Sequence, residues 1–286
     1  MEVLGRTVGA SMNSGRVVRL KRIWKHQRTV IIPFDHGTYS GPIAGIEDPR
    51  RLTERIAKTR ADAILVSPGV LDAVADLVGD LGVILRLDGG VTRLGEAPVD
   101  YRTMTHVEHA VRLGADAGIV FTFAGTPFET ESIQRLGLTA ATAHEWGMPL
   151  ISEVLAPSQL NHHFGSTKFK ASTVAKNISD EAMTVTRVCA EAGADIIKTR
   201  YTGNVEGFRS LIRACGVPVV VAGGPTVDGG EDELLQLAVD SVEAGAAGVV
   251  FGRNVWQHPN MEKLVEAICA VVHDGEPVAA ARKLLA

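Results

Sequence analysis

Lys198 closes the apolar run Ala194-Asp-Ile-Ile-Lys-Thr199. An ammonium there loses hydration, which lysines rarely give up without a partner. Burial disfavours the charged form, and a neutral amine can attack a carbonyl to form a Schiff base. The structural alternative is a rim lysine whose stem packs while its head reaches water. Imine formation, C–C cleavage and imine hydrolysis each move a proton, so this chemistry needs a positioned acid or base. Asp35, at the end of the run 29–34, is the first candidate, and Glu153, inside 148–154, the second. Glu153 has a competing reading as an ion-pair partner of Lys198 or Arg200, and Asp88 one as a partner of Arg86 or Arg93. His36, Gly37 and Arg200 are read as substrate contacts. Gly223-Gly224 and Gly252-Arg253 follow two further apolar runs. Glycines there let backbone N–H groups approach an anion, and Arg253 adds a bidentate contact for phosphate oxygens.

Those residues need a frame that brings separate run ends together. One local pattern recurs, as Arg60-Ala-Asp-Ala-Ile-Leu-Val66, Gly114-Ala-Asp-Ala-Gly-Ile-Val120, Gly193-Ala-Asp-Ile-Ile-Lys198 and Gly245-Ala-Ala-Gly-Val-Val250. A glycine supplies a left-handed helix cap, and the apolar run after it has the makeup of a parallel strand buried on both faces. The apolar runs give eight strands, near 29–34, 62–66, 82–87, 116–122, 148–154, 194–199, 217–222 and 247–251. Helical stretches fit between them at 48–59, 104–113, 131–146, 179–192, 204–214 and 231–244. Eight βα units in this length predict an α/β fold, a single (β/α)8 TIM barrel, whose catalytic side chains stand at the C-terminal strand ends. The last two loops then hold the usual phosphate position of such barrels. The expected organisation is a short N-terminal extension over 1–28, a barrel over 29–273 and a C-terminal helix or tail over 274–286. The long stretch 156–178, with His162, His163, Lys168 and Lys170, reads as an active-site flap.

The 286 residues are 45 % hydrophobic and carry a net charge of −4, which gives no footprint for nucleic acid. No segment approaches the roughly 18 apolar residues of a membrane span, so no membrane association is expected. Residues 1–28 are polar and basic and lack the apolar stretch of a secretory signal. The three cysteines, Cys189, Cys215 and Cys269, follow neither disulfide nor metal-ligand spacing. A cytoplasmic protein is the expectation. The nine histidines include no His-Glu-x-x-His, and no metal site is read among them. No cofactor is called for either, because the covalent imine through Lys198 would itself carry the chemistry.

The segments Val30-Ile-Ile-Pro-Phe-Asp-His-Gly37 with Ser40-Gly-Pro-Ile43, Ala194 to Gly203, Val221-Ala-Gly-Gly-Pro225 and Phe251 to His258 resemble the archaeal-type class I aldolase family. That family holds fructose-bisphosphate aldolases, 2-amino-3,7-dideoxy-heptulosonate (ADH) synthases and a thiolase of a phosphorylated diketone. The resemblance implies Lys198 as Schiff-base lysine, Asp35 as proton-transfer aspartate, and Gly223-Gly224 with Gly252-Arg253 as phosphate loops. It implies a small phosphorylated keto substrate as partner and a homo-oligomer, decamers being frequent in the family. The implied activity is that of a lyase breaking or making a C–C bond, with condensation onto aspartate semialdehyde or coenzyme A-dependent thiolysis as alternatives. A non-catalytic phosphosugar-binding barrel is the reading from another class. One departure stands out: the family's aldolases and ADH synthases carry a proton-donating tyrosine just after strand five. Here Ile151-Ser-Glu-Val-Leu-Ala-Pro-Ser158 places Leu155 at that point, with no tyrosine beside it in the chain.

Overall fold

Eight short strands, buried at every residue but Ala222, run parallel: β1 Thr29–Pro33, β2 Ala63–Val66, β3 Gly82–Arg86, β4 Ala117–Thr122, β5 Leu150–Val154, β6 Ile196–Arg200, β7 Val219–Ala222 and β8 Gly248–Val250. Each pairs with its neighbours in chain order, and β8 returns to β1 to close the barrel. This is the (β/α)8 barrel that the spacing of apolar runs predicts. The computed structural model describes residues 13–95, 99–164, 177–224 and 229–285, with side chains of 161–164 excepted.

Strand side chains alternate between two environments. Ile31, Ile84, Ile119, Ile151, Ile196 and Val220 form the barrel's own inner cluster. Their sequence neighbours Val30, Ile32, Leu85, Val120, Ile197 and Val221 pack outward in the cluster shared with the surrounding helices. Leu20, Ile23 and Trp24, from the helix Ser14–Ile23 and its C-cap, join the inner cluster. That helix therefore closes the N-terminal end of the barrel.

The recurring Ala-Asp has a structural reason at this end. Asp62, Asp116 and Asp195 each accept the backbone N–H of the preceding strand's first residues, from Val30, Val83 and Leu150 respectively, at 2.8–2.9 Å. The side chain thus pairs a buried donor that the parallel ladder leaves over. The fourth copy has Ala247 in place of the aspartate, whose carbonyl accepts from Thr29 N–H and from the Trp24 indole N–H, both at 3.0 Å. At the closing seam, a Cβ on Gly248 would lie 2.2 Å from the Thr29 carbonyl oxygen. Only glycine lets β8 reach β1.

The stretch 156–178 differs from the loop that its composition suggests. Pro157–Phe164 is helical, begun by a proline whose fixed φ suits a first helical position. The flap reading for 165–176, with Lys168 and Lys170, lies outside the described residues, as do the side chains of His162 and His163. Between β3 and β4, Asp88–Gly89 and Arg102–Thr103 form a two-residue antiparallel ribbon. No helix among the described residues is long and apolar enough to cross a membrane.

Candidate active site

The inner parity continues past the isoleucines to charge. Two residues beyond Ile84, Ile151 and Ile196 come Arg86, Glu153 and Lys198, and two beyond those come Asp88, Leu155 and Arg200. All are buried, Lys198 to 6 % exposure and Glu153 to 5 %. Glu153 and Lys198 are register partners on adjacent strands, and their side chains meet, Lys198 Nζ lying 2.7 Å from Glu153 Oε1. The second carboxylate oxygen of Glu153 takes Arg86 Nη2 at 2.5 Å, while Arg86 Nε donates to Asp35 Oδ2 at 2.8 Å and Nη1 lies 3.4 Å from Asp88 Oδ1. One guanidinium therefore holds three carboxylates, and one of those holds the lysine.

Burial works against the charge on Arg86, yet Asp35, Glu153 and Asp88 together lift its pKa well above the usual arginine value. Burial pushes Asp88 up to about 6, against the pull of Arg86 and then Arg135. Asp88 also accepts Phe121 N–H at 2.7 Å, so it braces β4 against β3. Burial lowers His36 to about 4, with the neighbouring charge of Asp35 opposing that shift. The His36 ring stands edge-on to Trp256, centroids 5.5 Å apart, and is neutral at physiological pH.

Two adjoining cavities open here. One is lined by Asp35, His36, Tyr39, Arg86, Tyr101 and Lys198 among others. The other has His36, Glu153, Leu155, Lys198 and Arg200 with Gly223, Gly224, Gly252 and Arg253. Lys198 and Glu153 face both. Burial and then the charge of Arg253 lower Arg200 to about 10, a sign of two cations crowded at one wall. The glycines have packing reasons as well. A Cβ on Gly252 would meet the Pro33 carbonyl oxygen at 2.9 Å, and one on Gly223 would meet Phe251 Cδ1 at 2.8 Å. Gly224 adopts φ 72°, and a Cβ there would sit 3.4 Å from Arg200 Nε. In the lining of these two cavities Lys198, Arg86, Arg200 and Arg253 outnumber Asp35 and Glu153, a balance that favours an anion as guest.

The residues given catalytic, substrate or phosphate roles from sequence all line these cavities except Gly37, while Asp88 lines neither and is held by Arg86 beside them. That glycine lines neither, and opens the short helix Gly37–Ser40. Sequence reasoning missed Arg86 as the hub, although it interrupts Val83-Ile-Leu-Arg-Leu-Asp88 as Lys198 interrupts its own run. It also missed two phenols. Leu155 is buried in an apolar group with Tyr101, Phe121 and Phe123, so the position after β5 offers no proton. Tyr39, from the short helix Gly37–Ser40 after β1, and Tyr101, whose backbone carbonyl accepts from Arg135 at 2.5 Å, reach the first cavity instead. Burial and then the charge of Asp35 raise the Tyr39 pKa, which keeps it a protonated phenol.

The DeoC/LacD family aldolase pattern matches residues 29–258. The chain belongs to that family. A 2-amino-3,7-dideoxy-D-threo-hept-6-ulosonate synthase of Halobacterium salinarum is 36 % identical over 269 residues, covering 94 % of this chain and 96 % of the relative. A 3-hydroxy-5-phosphonooxypentane-2,4-dione thiolase of Yersinia pseudotuberculosis is 31 % identical over 280 residues, covering 96 % and 88 %. Among solved structures, an archaeal fructose-1,6-bisphosphate aldolase with its catalytic lysine covalently bound to the carbinolamine intermediate superposes with a TM-score of 0.77. It is 26 % identical, over 90 % of this chain and 99 % of that one. This DeoC/LacD family member is thus an enzyme by kinship, with a protein whose catalytic lysine carries a carbinolamine among its structural relatives.

Two measurements follow. Arg86→Leu leaves Asp35, Asp88 and Glu153 buried without their common cation, so urea unfolding at pH 7.5 should show a loss of about 3–5 kcal/mol; an unchanged midpoint would refute the hub. The lowered His36 pKa means the unfolded chain takes up that proton first. Its contribution to stability is complete above pH 6.5 and drains away as pH falls through about 4. Nitrogen-detected NMR should therefore find His36 neutral at pH 5.5; a protonated imidazole there contradicts the buried, desolvated setting.

Proposed function

We propose that this protein is a class I aldolase that cleaves or forms a C–C bond in a phosphorylated keto compound through an imine on Lys198. The observation that carries this reading is the Lys198–Glu153 pair, 2.7 Å apart and buried in a cavity whose far wall carries Arg200, Arg253 and Gly223-Gly224. Those arginines and glycines take the substrate phosphate, which relieves the repulsion between the two guanidinium groups. Glu153 removes the ammonium proton, and the freed Lys198 lone pair adds to the substrate carbonyl. The carbinolamine loses water to give an iminium, the electron sink for the bond to be broken. Asp35, oriented by Arg86, takes the proton of the reacting hydroxyl as the C–C electrons move toward nitrogen. An enamine remains on Lys198. Tyr39 protonates it, filling the role that Leu155 cannot.

The kinship with an ADH synthase supports a direction of condensation, in which the same enamine attacks an aldehyde. Kinship with a thiolase supports a second reading, attack of the coenzyme A thiol on a phosphorylated diketone. Phe121 and Leu155, each lining one of the two cavities, accommodate a carbon without hydroxyl, a feature of deoxy and diketone substrates.

Borohydride treatment with dihydroxyacetone phosphate or fructose 1,6-bisphosphate should leave a reduced adduct on the intact mass of wild type and none on Lys198→Ala. An adduct that survives in Lys198→Ala would sink the lysine assignment, and no adduct with any keto-phosphate would sink the mechanism. Tyr39→Phe should still trap the imine while turnover drops by about 10²-fold or more. Unchanged turnover would remove Tyr39 from the reaction. Product formation that depends on coenzyme A would favour thiolysis over the aldol step.

A further inference from the structure

At the opposite end of the barrel the three foot aspartates are not alike. Asp116 and Asp195 meet arginines of the helix Ser14–Ile23, Arg22 at 3.4 Å and Arg16 in a closer contact, and Asp195 has His144 Nε2 at 3.2 Å besides. Asp62 meets two imidazoles instead. His273 Nε2 lies 2.8 Å from Asp62 Oδ2, the oxygen that also accepts Val30 N–H, and His26 Nε2 lies 3.9 Å from Oδ1. The two imidazole rings stack with centroids 4.1 Å apart and planes inclined by 29°. One donor atom from each of the three residues falls within 4.8 Å of the other two.

The hydrogen bonds do not use this cluster up. Asp62 is 1 % exposed, and its Oδ1 is buried with no hydrogen-bond partner. Nδ1 of His273, whose side chain is equally buried, has none either. With His273 Nε2 donating to Asp62, that Nδ1 carries a lone pair that meets no donor. A buried carboxylate oxygen left unpaired is costly. Protonating both imidazoles would answer the carboxylate but stack two cations face to face. A single divalent cation accepts electron pairs from all three groups without that conflict.

We propose that His26, Asp62 and His273 form a metal site for a zinc-class divalent cation, which clamps the floor of the barrel. Two imidazoles and one carboxylate suit zinc, cobalt or nickel, whereas magnesium and calcium prefer oxygen alone. Tetrahedral bonds of about 2.0–2.1 Å set ligand atoms about 3.4 Å apart, so the cluster closes when the ligand atoms draw in by roughly 1 Å and the His26 ring turns out of the stack to aim its lone pair at the ion. His26 can supply that shift, because its side chain is 46 % exposed. Its open side also leaves room for water as a fourth ligand. Val30 N–H on Oδ2 fixes the carboxylate as an outer contact of the kind that orients metal ligands. The three ligands come from the link before β1, the foot of β2 and the end of the helix Met261–Val272. The metal would tie the link after the helix Ser14–Ile23 and the helix Met261–Val272 to the β1–β2 strand pair. Its place at the N-terminal face makes it a structural ion, independent of the Lys198 chemistry.

The test uses the full chain without an affinity tag, stripped with a chelator and dialysed. One equivalent of Co2+ should produce a visible ligand-field band that Zn2+ displaces. Zn2+ at a hundredfold excess over its Kd should raise Tm by about 5 °C or more. Both responses should persist in Lys198→Ala and vanish in His26→Gln and in His273→Gln. His26→Gln changes a half-exposed side chain, so its folded state is checked by an unchanged Tm in chelator. No saturable cobalt band, retention of the band in His26→Gln, or an equal stabilisation by Mg2+ would each overturn the proposal.

Discussion

The buried guanidinium of Arg86 is the interaction on which the rest of the site depends. Three carboxylates gathered at one end of a barrel would repel one another and take up protons if no cation stood between them. Arg86 reaches Asp35, Asp88 and Glu153 from β3, so it links the loop after β1 to β3 and β5. Glu153 then gives one oxygen to Arg86 and the other to Lys198 on β6. The lysine's place is therefore set through a fused ionic chain rather than by its own packing. A one-residue slip of β5 or β6 would turn those side chains toward the helices and dissolve it.

Lys198 and Glu153 were legible as charges inside apolar runs because a buried parallel strand has few other reasons to hold them. Arg86 gave the same signal, but Asp88, two residues on, drew the reading toward a local pair. Its contacts with Asp35 and Glu153 span 51 and 67 residues, a distance that no spacing rule covers. Tyr39 sits in a single helical turn and Tyr101 in an irregular segment, both too short for periodicity to mark an inward face. The vacancy at Leu155 was readable, whereas its replacement from another loop was not.

The repeated Ala-Asp illustrates the same limit at the other end. Its glycine and its β-branched run announce a helix stop and a strand, and both are where the pattern puts them. Gly114 and Gly193 take φ values of 82° and 106°. The aspartate's purpose appears only when the preceding strand lies beside it with a spare N–H. Residues 157–164 went the other way: polar side chains and a proline read as loop, but Pro157 is placed where a helix begins and so favours one.

The seam between β1 and β8 bears on how the chain comes to be assembled. Residues 29–31 pair with 248–250, and the Trp24 indole holds the carbonyl of Ala247. During synthesis the amino-terminal strand thus leaves the ribosome more than 200 residues before its second neighbour exists. At about 5–20 residues per second, one edge of β1 stays open for at least about ten seconds. The tight fit at Gly248 then acts as a late inspection. A nascent barrel with any side chain at that position would be held ajar, with its apolar strand edge offered to chaperones and to other copies of itself.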